Sequence, residues 1–217
     1  MNFDGQKILF DSGGNKEIFF TNIKKLNINL LDITHVVCSH QHWDHTAGFE
    51  EILQNISSKA KVYLPYKFSS SLLKLIPPNI ELICTKSFSQ VAPNIYLCAL
   101  KGHTTMMSDC FFLYEQNLIF NTSKGLVILT GCGHPGVLNI VRYVYDKLHT
   151  KVHLLIGGFH LHHSFNFTIN NIIEGLQKIG IENVAPCHCT GDQAIRKLQK
   201  CYGNHCYTVG TGFVIEI

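Results

Sequence analysis

Apolar residues come along this chain in short runs separated by polar and glycine-containing stretches, and the runs predict its elements. Those at residues 7–10, 35–38, 61–64, 80–84, 95–99, 110–114, 118–121, 126–130, 153–157, 183–186 and 207–209 read as strands. Residues 121–126, Asn-Thr-Ser-Lys-Gly-Leu, read as a tight turn between two of them. Helical spacing takes over elsewhere. Val137, Ile140, Val141 and Val144 share one face of 137–148, and Ile169, Ile172, Ile173, Leu176 and Ile179 share one face of 168–179. Further helices are predicted at 46–54, 67–75 and 193–201. The first half is mainly strands and the second alternates helix with strand. With no repeat and no low-complexity linker, a single α/β domain with layered sheets is expected over residues 1–217.

Composition narrows the class. The chain has 217 residues, 46% hydrophobic and 15% charged, so it can bury a substantial core. No run approaches the roughly 18 apolar residues of a membrane span. Asp4 and other polar residues stand where a signal peptide would be basic and then apolar. The nine cysteines are odd in number and scattered through apolar segments. Reduced thiols in a cytoplasmic protein are therefore expected. A net charge of +3 with no basic stripe argues against a nucleic-acid partner. The unusual feature is thirteen histidines.

Three of those histidines and an aspartate crowd into residues 40–45, His-Gln-His-Trp-Asp-His. Residues two apart on a strand face the same side, so His40 and His42 at the end of 35–38 can bind one cation together. Asp44 and His45 follow in the next turn and can face a second. Borderline cations such as zinc take imidazole nitrogen and carboxylate oxygen, and iron and manganese suit the same donors. In the second half His134, His160 and His188 each follow a strand, the place where sites gather in layered α/β folds. Glycines flank His134 and follow His188, and helix N-termini come next. Such ends favour anions, so a phosphorylated small-molecule substrate is expected.

The His40-Gln41-His42-Trp43-Asp44-His45 stretch resembles the HxHxDH signature of the metallo-β-lactamase superfamily. Residues 7–13, KILFDSG, are similar to the strand before that signature, with Asp11 in the place of the supporting aspartate. Residues 115–141, 156–161 (IGGFHL) and 185–194 (APCHCTGDQA) resemble a subgroup labelled 7,8-dihydropterin-6-methyl-4-(β-D-ribofuranosyl)aminobenzene-5′-phosphate synthase-like. The resemblance implies an αββα sandwich with a dinuclear site at one edge. The chain starts later than that subgroup does, so the first N-terminal strand is expected to be lacking.

Carried over residue by residue, the resemblance puts His40 and His42 on the first metal and Asp44 and His45 on the second. His188 takes the place of the last histidine ligand, and His134 that of the remaining one. Cys132 stands where most hydrolases of the superfamily have a bridging aspartate. It either coordinates as a thiolate or leaves the bridge absent. His160 is expected near the open coordination positions as ligand or proton donor. His103, in Gly-His-Thr, resembles another ligand motif, but its register suggests a loop near the substrate. Asp11 is expected to orient a ligand histidine rather than merely cap a turn. Cys187 and Cys189 are expected to be core thiols pointing away from His188.

Three functions compete at this level. The first is a metal-dependent hydrolase in which two divalent ions activate water and Asp44 holds the nucleophile. The second is a transferase joining a dihydropterin pyrophosphate to a ribofuranosylaminobenzene phosphate, as the subgroup label implies. The third is a non-catalytic binding protein on the same fold. An exposed sheet edge would also favour a homo-oligomer.

Overall fold

The apolar run before the histidine-rich stretch forms the middle strand of one sheet. A computed structural model describes residues 1–74, 76–103 and 112–217, with only the backbone at residues 71, 103 and 112. The described residues form two compact units, Met1–Lys86 and Ser87–Ile217.

The first unit contains β1 (Asn2–Phe3), β2 (Gln6–Phe10), α1 (Lys16–Lys25), β3 (His35–Val37), α2 (Trp43–Thr46), α3 (Phe49–Asn55), β4 (Lys61–Pro65), α4 (Ser70–Leu73) and β5 (Glu81–Thr85). Its sheet runs β1-β2-β3-β4-β5. The β1–β2 pair is antiparallel and the other pairs are parallel. Parallel strands need a covering layer. Phe49, Ile52 and Leu53 of α3 supply it against Val36, Val62 and Leu64. Each fully buried side chain of this kind contributes about 1.5–3 kcal/mol.

Three helices here differ from the sequence expectation. Helix α1 was not predicted because none of its residues is buried, so no strong apolar stripe marks it. Its signals are local: Asn15 Oδ1 accepts the Ile18 N–H at 3.0 Å, and Lys24 and Lys25 lie in the last turn. The helix expected at 46–54 is split at Gly48, whose N–H donates to Ser12 Oγ at 3.0 Å. The helix expected at 67–75 shrinks to the four residues of α4.

The second unit contains β6 (Phe88–Ala92), β7 (Ile95–His103), β8 (Phe112–Thr122), β9 (Gly125–Thr130), α5 (Val137–Leu148), β10 (Val152–Gly158), α6 (Asn166–Ile179), β11 (Asn183–Cys187) and α7 (Asp192–Tyr202). The sheet order is β11-β10-β9-β8-β7-β6. Strands β9, β10 and β11 are parallel, and β6 to β9 pair antiparallel. The predicted stripes of α5 and α6 are the buried ones: Val137, Ile140, Val141 and Val144 on α5, Ile169, Ile173 and Leu176 on α6. They pack with Leu126, Ile128, Leu155 and Val184 of the parallel strands.

Of the strands expected at 110–114 and 118–121, residues 112–114 and 118–121 belong to one strand, β8, and residues 110 and 111 lie outside the described residues. Polar Glu115, Gln116 and Asn117 interrupt its apolar pattern, yet all three are fully buried. Buried polar groups persist where they are hydrogen-bonded. Asn117 Nδ2 donates to the Cys98 carbonyl at 3.2 Å, and Glu115 has its own partners, described below. The expected strand at 207–209 is absent, and one parallel bridge joins Val184 and Cys206 instead. No helix among the described residues is long and apolar enough to cross a membrane.

Candidate metal centre

Strand β3 stops at Val37, so His40 and His42 are not strand residues as expected. They lie in the segment joining β3 to α2, and His42 directly precedes that helix with φ −63° and ψ 146°. His40 Nε2 still comes within 3.1 Å of His42 Nδ1. Two nitrogens bound at tetrahedral angles to one zinc lie about 3.3 Å apart, given bonds of about 2.0–2.1 Å. The donor chemistry and the spacing both fit a shared cation. Asp44 and His45 sit on α2, with Asp44 Oδ2 3.6 Å from His45 Nε2.

Asp11 ties this group together. It follows β2 with φ +59°. Its Oδ1 accepts the Ser39 N–H at 2.6 Å and its Oδ2 accepts the Ser39 hydroxyl at 2.7 Å. The same Oδ2 lies 2.7 Å from His45 Nδ1. A carboxylate on Nδ1 fixes the ring and leaves Nε2 as the nitrogen to ligate. Cys38 is buried, its thiol donates to the His40 carbonyl at 3.2 Å, and burial pushes its pKa well up. It is a core thiol.

In the second unit, β9 runs into the turn Gly131-Cys132-Gly133-His134. Cys132, His134 and His160 place ligand atoms within 4.8 Å of one another, a set that can hold a metal ion. Cys132 is also within 4.8 Å of His188 in the same sense. The rings of His134 and His160 stand 4.4 Å apart. His160 and His188 take φ values of +53° and +52°. That left-handed conformation costs a non-glycine residue roughly 1–2 kcal/mol, and such strain gathers at functional sites. The side chain of His103 lies outside the described residues.

Two features of this unit go beyond the sequence reading. Cys189 is not the core thiol expected. Residues His188–Thr190 form a short 3-10 turn rather than extended chain, which leaves Cys189 half-buried. Its Sγ lies 3.3 Å from the Cys132 carbonyl oxygen. A hydrogen bond from the Cys132 side chain first, then one from the His160 ring, holds its thiol well below the usual range, against the effect of burial. The same contact with Cys189 raises the His160 imidazole, against the effect of burial. The signal available was the alternation Cys-His-Cys, read with the wrong backbone. The second feature is Glu115. Its Oε1 accepts the N–H of Cys132 at 3.1 Å and of Gly133 at 2.8 Å, and its Oε2 accepts the N–H of His134 at 2.8 Å. Those three amides are thus engaged by the protein's own carboxylate, not held ready for a substrate phosphate.

Residues 2–85 match the family model of the metallo-β-lactamase superfamily. The whole chain superposes on a crystal structure described as a metal-dependent hydrolase of the β-lactamase superfamily, with a TM-score of 0.81 at 24% identity, covering 100% of this chain and 95% of that one. The chain has the metallo-β-lactamase fold. A second structure with that fold, from Bacillus subtilis, aligns with a TM-score of 0.70 at 12% identity over 99% of this chain and 89% of its own. In sequence, the chain is 27% identical to a 7,8-dihydropterin-6-methyl-4-(β-D-ribofuranosyl)-aminobenzene-5′-phosphate synthase of Methanocaldococcus jannaschii, over 87% of this chain and 77% of that protein. It is also 25% identical to an uncharacterized protein of the same organism, over 91% and 84%. The resemblance read from HxHxDH and the three later motifs is borne out.

Proposed function

We propose that this metallo-β-lactamase-fold protein is a metal-dependent hydrolase of a phosphorylated or ester small molecule. Its proposed ligands are His40, His42, Asp44 and His45 in the first unit and His134 and His188 in the second, with Cys132 as a candidate thiolate donor. Two divalent ions are proposed, zinc first, with iron and manganese as alternatives. The observation that carries the reading is the 3.1 Å approach of His40 Nε2 to His42 Nδ1 beside the Asp44–His45 pair. Divalent metal in such a centre lowers the pKa of a water from about 15.7 towards about 7.

The chain's own residues supply the rest. Asp11 holds the His45 ring at Nδ1. Asp44 carries a carboxylate suited to orienting the nucleophile. His160, raised by Cys189, is the proposed proton donor to the leaving group. The test is metal content per chain of protein purified without chelator, beside turnover of phosphoesters and esters. About two equivalents, lost together with turnover in His42→Ala, support the reading. A His42→Ala protein with full metal-dependent turnover would sink it.

A second reading is favoured by the similarity to the M. jannaschii synthase. In it the chain is a transferase, and a ribofuranosylaminobenzene phosphate displaces the pyrophosphate of a dihydropterin. Pyrophosphate release that requires both substrates would select the transferase over the hydrolase. A folded protein that retains no metal and turns over neither substrate class would select a non-catalytic binding protein.

A further inference from the structure

Glu115 is a carboxylate with no exposed surface in the middle of β8. An ionised carboxyl in such a place is costly unless several donors meet it. The donors here are three consecutive amides, those of Cys132, Gly133 and His134, at 3.1, 2.8 and 2.8 Å. Consecutive amides converge on one anion only when the backbone curls into a concave nest. Gly133 provides the curl with φ +76°. Hydrogen bonds to a charged group are stronger than those between neutral groups, so the turn has one strongly preferred position on β8.

Strand β7 closes on the same turn. A Cβ on Gly102 would lie 2.7 Å from His134 Cβ and 2.9 Å from its carbonyl carbon. The backbone of His134 therefore rests directly on β7 while Glu115 grips it from β8. Cys132 and His134 emerge from opposite ends of the gripped segment, and both belong to the set that converges with His160.

We infer that Glu115 is a positioning residue for the metal centre: its carboxylate fills the amide nest of residues 132–134 and so fixes where Cys132 and His134 present their donor atoms. This rests on the reading of His134 as a ligand. It assigns Glu115 a role through the backbone that it holds, and explains why a buried acid stands in the middle of β8.

The experiment uses the full chain and its Glu115→Gln variant, which keeps one acceptor oxygen and turns an NH2 group toward the nest. Zinc affinity is measured by competition with a chromophoric chelator, well below the melting temperature of each protein. A loss of tenfold or more in a folded Glu115→Gln protein is expected, in the range for residues that orient ligands. Unchanged affinity in a folded variant overturns the inference. Amide hydrogen exchange at 132–134 in the unaltered chain is the second readout, and it holds even where the variant does not fold. Protection of at least a hundredfold is expected, and exchange at the rate of open loop amides overturns the inference. Should the unaltered chain bind no zinc while these amides are protected and lose protection in Glu115→Gln, the metal reading fails and the grip on the turn stands.

Discussion

Asp11 Oδ2 stands 2.7 Å from His45 Nδ1, and the same carboxylate binds both the N–H and the hydroxyl of Ser39. One side chain thus joins the end of β2, the segment after β3 and helix α2. Asp11→Asn keeps the shape and tolerates the left-handed backbone but weakens the hold on the imidazole. Metal affinity is expected to fall about 10–100-fold with a small change in melting temperature. A chelator-competition titration beside a thermal melt checks both. Asp11→Ala should in addition lose roughly 1 kcal/mol to strain at φ +59°.

Gly157 in β10 has φ +125°, and a Cβ there would come 2.1 Å from the Thr130 carbonyl oxygen. That atom is backbone of the neighbouring parallel strand and cannot swing aside. Gly157→Ala is expected to destabilise the second unit by about 3 kcal/mol or more, the range of overpacking combined with backbone strain. Denaturant unfolding monitored by circular dichroism measures the loss. Gly180→Ala also has positive φ but meets nothing within 4 Å, so its cost should be strain alone, about 1 kcal/mol.

His35 is buried at the start of β3, where burial first and the Lys61 charge second lower its pKa. The unfolded chain then binds a proton at a pH where the folded chain does not. Its contribution is fully present above the unfolded value of about 6.5 and is lost as pH falls from there to the folded value. The melting temperature is expected to drop on acidification across that window. His35→Gln should flatten this part of the profile, and thermal melts at a series of pH values decide.

Cys189 should be the fastest thiol to alkylate at mildly acidic pH in metal-free protein, because its contacts with Cys132 and His160 favour the thiolate. Cys84 and Cys201 are the exposed thiols against which it competes. Peptide mapping after a short iodoacetamide pulse at pH 6 is expected to find the label at Cys189 first. Labelling of Cys84 and Cys201 ahead of it would show that the pairing with His160 does not hold in solution.

Local pattern alone determined much of this protein. The stripes of α5 and α6, the parallel strands and the turn between β8 and β9 were legible because apolar periodicity and turn residues are properties of neighbouring positions. So was the crowding of four potential metal donors into residues 40–45, since donors in one short stretch need no distant partner to be noticed. Tertiary structure decided what depends on a residue's remote surroundings. Glu115 opens a stretch that resembles the subgroup, but what it holds is not visible until the amides of residues 132–134 are folded onto it. Cys189 reads as a core thiol until a positive-φ His188 turns the chain and sets it beside Cys132 and His160. Helix α1 buries nothing and so leaves little trace in an apolar pattern. Spacing reports which side chains share a face, whereas the partner of a buried charge or thiol is chosen by packing of segments far apart in the chain.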